Sequence, residues 1–451
     1  MRIIFFLTTV LFLAGCASVP LDTTRDVAKK YYIQGLLYES DGNLYDAFIM
    51  YQKALLQDSH NSFLLGKTGK ILLKEKRFKE AEKAFLKAIS LNGNEPENFL
   101  NLGLTYYYMK SYDNAIKCLE KGLKIKEFPS YRMVLCDLYV LTNRYEKALA
   151  SYKILIDKFP SNFLLYFNSG LLLVKMNKPE EAEKYFLETI KLQPAFEKSY
   201  VELASIYLQR NDTENALKYY KKATEISPED PVPYEKMVEI YMKQGDWNQV
   251  EVILTKAIKE NLKSAMLNQI VGFISFQNKQ YQEAEIYYKR ALMIKETSET
   301  WFNLGVVYDK MNKKDEMEKC IRKAIQMDPK NHLALNYLGY SLLLEDKNID
   351  EAFELIQQAV HLNPDNGAYL DSLGWAYYKK NNYKLAENFL LKAQKKESDP
   401  EIFEHLGYLY YKMKNPVKAI YWWARAQELS QKPEISNMID VARQQLLIHK
   451  Q

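Results

Sequence analysis

The sequence predicts an all-α protein, a solenoid of about twelve stacked helical hairpins closed by a C-terminal capping helix. Three observations carry this. Glycines recur at steps of 33 to 35 or small multiples of about 34: Gly35, Gly69, Gly103, Gly170, Gly272, Gly305, Gly339, Gly374 and Gly407, with Cys136, Ala204 and Val238 filling the gaps. Twelve places after each lies a second small column: Ala47, Ala81, Ala115, Ala148, Ala182, Ala216, Ala284, Ala386 and Ala419, with Ala352 displaced by one and Val250 and Met317 as exceptions. Finally, 16 Gly and 14 Pro stand against 35 Tyr in 451 residues, so turns are scarce and aromatic packing is plentiful. A chain this long exceeds a single core, and repetition organises its 47% hydrophobic residues without one.

Residues 1–15 read as an address. Arg2 precedes the apolar run from Ile3 to Leu13, which is shorter than a membrane-spanning helix and ends in small residues, as a cleaved secretory signal does. Leu13-Ala14-Gly15-Cys16 resembles the lipobox of bacterial lipoproteins. That resemblance implies a diacylglyceryl thioether on Cys16 and cleavage before it, leaving residues 16–27 as a lipidated tether. Two or three acyl chains would hold the protein at a membrane while its body stays in water. Ala17 and Ser18 follow rather than Asp, a pattern similar to that of lipoproteins delivered to the outer membrane, facing the periplasm. Mean hydropathy is -0.37, and no later run is long and apolar enough to span a bilayer.

Residues 28–433 hold the repeats. An aromatic follows three places after the glycine column at Tyr38, Tyr106, Tyr139, Tyr207, Tyr241, Tyr308, Tyr377 and Tyr410. With a period of about 34, this resembles the tetratricopeptide repeat family, whose arrays are right-handed α-solenoids. Trp301-Phe302-Asn303-Leu304-Gly305-Val306-Val307-Tyr308 matches the first half of the motif. Glycine inside a helix costs about 1 kcal/mol against alanine, so nine in register imply close approach of helices, with the alanine column expected on the other side of the contact. Pro160, Pro194, Pro228, Pro329 and Pro364 mark the ends of second helices. The unit at 231–264, with two valines in the small columns and no closing proline, is where the pattern would admit a hinge. In residues 434–451, Ile435, Met438, Ile439, Ala442 and Leu446 share one helical face and close the stack.

Catalytic and nucleic-acid functions find no support. A net charge of +5 from 62 basic and 57 acidic residues leaves no basic excess for nucleic acid. His60, His332, His361, His405 and His449 are scattered, with none of the paired spacings of a metal site. Gly66-Lys67-Thr68 lacks the earlier glycine and the strand of a phosphate-binding loop. Cys118, Cys136 and Cys320 read as small buried hydrophobes, although an oxidising compartment would permit a Cys118–Cys136 bridge. The expectation is a non-enzymatic protein with no cofactor and no metal.

Function then falls to the surface of the stack. In tetratricopeptide arrays the first helices line a concave groove. The resemblance places Tyr107, Tyr108, Phe167, Phe273, Phe276, Phe302, Tyr340, Trp375, Tyr378, Tyr408 and Tyr411 there, as anchors for a protein or peptide. Asp371 and Glu404 occupy positions where the family's chaperone-tail binders carry carboxylate-clamping Lys and Asn, so they should repel a terminal carboxylate and favour a basic partner. The last three units, through Leu335-Asn336-Tyr337-Leu338-Gly339-Tyr340, Leu370-Asp371-Ser372-Leu373-Gly374-Trp375 and Pro400-Glu401-Ile402-Phe403-Glu404-His405-Leu406-Gly407, resemble outer-membrane lipoproteins that bring substrates to a periplasmic carboxyl-terminal processing protease. That implies a membrane-anchored scaffold or adaptor. The alternatives are an assembly factor of a secretion, pilus or polysaccharide-export machine, and a glycan- or peptidoglycan-binding lipoprotein.

Overall fold

The computed structural model describes residues 23–448, so the expected signal segment and Cys16 lie outside the described residues. Within them are twenty-five α-helices and no strand. None of these helices is long and apolar enough to cross a membrane. The chain divides into two compact units, Met1–Ile226 and Ser227–Gln451.

The first unit holds six hairpins: α1 (Thr23–Ser40) with α2 (Leu44–Gln57), α3 (Ser62–Lys74) with α4 (Phe78–Leu91), α5 (Pro96–Tyr108) with α6 (Tyr112–Ile125), α7 (Pro129–Leu141) with α8 (Tyr145–Lys158), α9 (Phe163–Lys175) with α10 (Pro179–Leu192), and α11 (Glu197–Gln209) with α12 (Thr213–Ile226). Helix α1 begins inside the stretch expected as a tether. The second unit holds six more: α13 (Pro231–Gln244) with α14 (Trp247–Lys259), α15 (Ala265–Gln277) with α16 (Tyr281–Ile294), α17 (Ser298–Lys310) with α18 (Lys314–Met327), α19 (His332–Leu344) with α20 (Ile349–Leu362), α21 (Gly367–Lys379) with α22 (Tyr383–Lys396), and α23 (Pro400–Lys412) with α24 (Pro416–Leu429), followed by α25 (Pro433–Ile448). Inside each unit a first helix packs on its own second helix, which packs on the next first helix, so each unit is a one-way stack. The five prolines singled out in the sequence each stand two residues beyond a second helix.

The glycine column explains the packing, with one correction. What faces each glycine is a large side chain on the second helix, sixteen or seventeen residues later, rather than the alanine column. A Cβ on Gly69 would stand 2.8 Å from the Phe85 ring, on Gly170 2.6 Å from Phe186 and on Gly374 2.7 Å from Leu390. These partners are fully buried. The glycine is the hole and the bulky residue the knob, so the missing side chain is repaid by dense packing. The alanine column is fully buried as well, and its backbone is among the nearest neighbours at Gly103, where the Ala115 carbonyl would be 3.2 Å from a Cβ, and at Gly339, where that of Ala352 would be 2.9 Å away.

Every first helix ends in the same turn. A residue of positive φ stands at Gly42, Lys76, Lys110, Asn143, Asn177, Asn211, Gly245, Lys279, Asn312, Asp346, Asn381 and Lys414. The next N–H reaches back five residues, as from Arg77 to the Leu72 carbonyl at 2.9 Å and from Asn415 to that of Tyr410 at 2.9 Å. This is the Schellman closure, which satisfies carbonyls that the helix end leaves open. The aromatic column then ties hairpins together. The hydroxyl of Tyr106 donates to Glu82 at 2.9 Å, Tyr207 to Glu183 at 2.7 Å and Tyr410 to Glu387 at 2.5 Å, each on the preceding second helix.

At the C-terminus Ile435, Ile439 and Ala442 are buried in the core of the last hairpins, with Met438 packed beside them. The three described cysteines are free thiols, Cys136 and Cys320 buried and Cys118 partly so.

Candidate functional site

The second unit concentrates aromatic side chains on the first helices of its last three hairpins. Trp375 on α21 stacks on Tyr378 one turn on, with centroids 4.4 Å apart and planes 8° apart. Its other neighbour is His405 on α23, stacked at 4.1 Å and 16°. Tyr408 lies 6.2 Å from Trp375, and both Tyr408 and Tyr411 meet the buried Trp423 of α24, at 5.4 and 5.6 Å. Gln445 of α25 donates to the Tyr411 hydroxyl at 2.7 Å. Trp375, Tyr378, Tyr408 and Tyr411 each remain partly exposed, so the layer offers ring surface while being held from below.

Beneath it lies a polar network that spans three hairpins. His405 Nδ1 faces both carboxylate oxygens of Asp371, at 3.0 and 2.9 Å. The Tyr340 hydroxyl on α19 donates to Glu401 at 2.5 Å, and its oxygen stands 3.4 Å from His405 Nε2. A hydroxyl that already donates to a carboxylate must accept from the ring, and a carboxylate at Nδ1 demands N–H there too. Both ring nitrogens therefore act as donors, the arrangement of an imidazolium. Burial opposes charge on His405, but Asp371, Glu401 and Glu404 outweigh it and raise its pKa. Burial and the same acidic neighbours push the Tyr340 hydroxyl far up. Glu404 is held by Lys432 at 2.6 Å.

These pairings change how two expected ligand contacts read. Asp371 is only 5% exposed and spent on His405, and Glu404 is largely buried and paired. Neither presents a free charge to a basic partner. No repeat signal marks the network: Asp371 stands three places before its column glycine and His405 two before the next, so no shared column links them. The structure brings Tyr340, Asp371, Trp375, Tyr378, Glu404, Tyr408 and Tyr411 into one site and adds His405, Glu401, Lys432 and Gln445.

The other expected groove residues lie apart from it. Tyr108 is 56% exposed, stacked on Phe78 at 5.6 Å and edge-on to Tyr107. Phe167 is buried among Phe186 and Phe196 and belongs to the core rather than to an open surface. Phe273 is 44% exposed beside Trp247. Phe276 and Phe302 pack on the core of the second unit, Phe276 against Tyr281 and Phe302 against Tyr337. Among the described residues no group of three or more His, Cys, Asp or Glu side chains is placed to hold a metal ion.

Models described as tetratricopeptide repeat match residues 65–95, 96–128, 267–298 and 298–331, then 167–231, and finally 207–270 and 343–406. Among curated proteins, the chain is similar to BBSome complex member BBS4 of Bos taurus, 23% identical over 175 residues, covering 39% of this chain and 34% of that protein. It is also similar to TPR repeat-containing protein PA4667 of Pseudomonas aeruginosa, 34% identical over 104 residues, covering 23% of this chain and 18% of the relative. The match thus spans about a third or less of either relative's length. Among solved structures, yeast Tom70 aligns over 94% of this chain and 96% of its own at 16% identity, with a TM-score of 0.35. Repeat models that together match well over half of the residues, on hairpins stacked through glycine, alanine and aromatic columns, establish that the chain belongs to the tetratricopeptide repeat family.

Proposed function

We propose that the chain is a membrane-anchored adaptor that captures a protein or peptide segment on the first-helix face of its last three hairpins. Tetratricopeptide arrays are protein-interaction scaffolds, which supports the class. The observation that carries the location is the partly exposed aromatic layer of Trp375, Tyr378, Tyr408 and Tyr411, fixed by the Asp371–His405 and Glu404–Lys432 pairs. Rigid rings give contact area at little cost in side-chain entropy. Because the buried carboxylates are already neutralised, the partner is selected by apolar anchors.

The anchor is Cys16, on the strength of the lipobox-like Leu13-Ala14-Gly15-Cys16. The partner is a periplasmic processing protease or its substrate, on the strength of the resemblance in the last three units. The test compares wild type with Trp375→Ala/Tyr411→Ala, both isolated from membranes, by quantitative mass spectrometry of co-purified proteins and by thermal melts. Loss of about 2 kcal/mol, roughly thirtyfold in affinity, with folding retained is the expected result. Retained folding with unchanged capture refutes the location. Labelled fatty acid should enter wild type and not Cys16→Ser, and labelling of the variant refutes the anchor.

A further inference from the structure

In the second unit one second helix departs from the common length. All second helices except α14 have fourteen residues, and α14 has thirteen. It ends in a Schellman turn of its own: Asn261 takes a φ of 51°, and the Leu262 N–H reaches the Ala257 carbonyl at 3.1 Å. Leu262 stands in the column where Pro160, Pro194 and Pro228 end their helices. The connection to α15 is correspondingly five residues long, Glu260 to Ser264, and α14 packs on α15 more thinly than any other successive helices inside either unit.

That splay opens a cavity of about 510 Å3 between α14, α15 and α16. Leu262, Leu267 and Val271 are buried in its floor. Its rim is apolar and exposed: Ile258 is 42%, Ile294 44% and Met293 87% exposed. Only two charged side chains line it, Lys263 and Arg290, both cationic, with the Arg290 guanidinium 5.2 Å over the Tyr287 ring. The apolar surface does not stop at the mouth. Ile286, 51% exposed, stands seven residues before Met293 on the same face of α16, with Arg290 between them. From Ile286 to Met293 the exposed stripe runs about 10 Å along the helix.

We propose that this cleft docks an acidic amphipathic segment of a partner protein, its apolar anchors entering over Leu262 and Val271 and its carboxylates meeting Lys263 and Arg290. Helices with periodic apolar anchors bind grooves of this kind, and the two cations select the sign of the flanking charge. The site is separate from the aromatic layer of the last three hairpins and does not depend on it.

The probe is a short fluorescein-labelled peptide with Leu at helical spacing and Glu flanking each Leu, beside an otherwise identical peptide with Lys in place of Glu. Fluorescence anisotropy is read on the full chain at low and high salt, with circular dichroism confirming the fold of each variant. The acidic peptide should bind, more weakly as salt rises, and the basic peptide roughly tenfold more weakly. Met293→Glu, at a solvent-exposed position, should weaken the acidic peptide by about tenfold. Lys263→Glu/Arg290→Glu should reverse the preference, and Trp375→Ala should leave it unchanged. Equal affinity for both peptides, or a preference that survives the charge reversal, overturns the proposal. So does loss of binding in Trp375→Ala. Displacement of the acidic peptide by decanoate alone, or self-association abolished by Met293→Glu, would assign the cleft to another occupant and equally overturn it.

Discussion

Replacing Gly407 and Gly272 by alanine, one at a time, tests the knob-and-hole account because the structure gives the two positions different room. A Cβ on Gly407 falls on the edge of the Trp423 indole, and even the third nearest atom, Cε2, would be only 2.7 Å away. Trp423 is fully buried, with Tyr408 and Tyr411 against it, so the ring has nowhere to go. On Gly272 the nearest atoms, Cδ1 and Cε1 of Tyr288, are 3.1 Å away, a shortfall of a few tenths of an ångström. Alanine gains about 1 kcal/mol of helix propensity at either site. Overpacking a rigid core costs about 1–3 kcal/mol, and at so tight a position the cost should lie in the upper part of that range, leaving a net loss of up to about 2 kcal/mol. At Gly272 the two effects should nearly cancel. Hydrogen exchange read by mass spectrometry on α15–α16 and α23–α24 measures each locally, which suits an array whose parts open separately. The sixth hairpin carries Ala204 and Tyr220 at the same two positions, so adding Trp423→Tyr should restore part of what Gly407→Ala loses. Equal costs at the two glycines, or no cost at Gly407, would refute the reasoning.

Three further outcomes follow from the same geometry. The pKa of His405 is raised above its ordinary 6.5, so its stabilising charge is fully present below that value and is lost as pH climbs through the raised one. Exchange protection of α21 and α23 should therefore fall on alkalinisation, and Asp371→Asn should flatten that fall while lowering protection at every pH; an unchanged profile would contradict the imidazolium. Exposed lysines hold the left-handed turn position at Lys76, Lys110, Lys279 and Lys414, and Lys→Gly at each should add about 1 kcal/mol, seen as a raised melting transition. Burial pushes the Cys136 thiol up to about 12 and that of Cys320 to about 11, so iodoacetamide at neutral pH should modify them only when the chain is unfolded, as intact mass would report.

The repeat architecture was legible because it is written in residues that only one environment tolerates. Nine glycines inside helices and an alanine in nearly every hairpin are hard to place anywhere but a close contact. Their partners were not legible: Tyr51, Phe85, Leu119, Tyr288 and Trp423 fill the same hole with different chemistry, so no single letter repeats. The turn column was hidden likewise, since glycine, asparagine, lysine and aspartate alternate at one backbone conformation. At the candidate site the aromatic residues could be named from their position after each glycine, but not which are exposed. Phe167 stands three places before Gly170, where the equivalent residue before Gly103 is the buried Leu100, and it is core, while Tyr108, five places after Gly103, is open. The Asp371–His405 pair depends on how far one first helix is shifted along the next, which a one-dimensional period does not encode.

The shortening of α14 is made good in the segment that follows it. The helix has lost one residue and the connection after it has gained one, so the hairpins on either side keep the same spacing in sequence. An array of this kind tolerates local changes of length because each knob and its hole lie in one hairpin: the step from Gly339 to Gly374 is 35 residues, and Leu390 and Trp423 still fill the holes at Gly374 and Gly407. Local closure of each hairpin by its own turn keeps most contacts short-range, so any module can fold early and recruit its neighbours. The chain can thus lengthen, shorten or acquire a new surface one module at a time, and the cleft beside α14 records such a local edit made without disturbing the rest of the count.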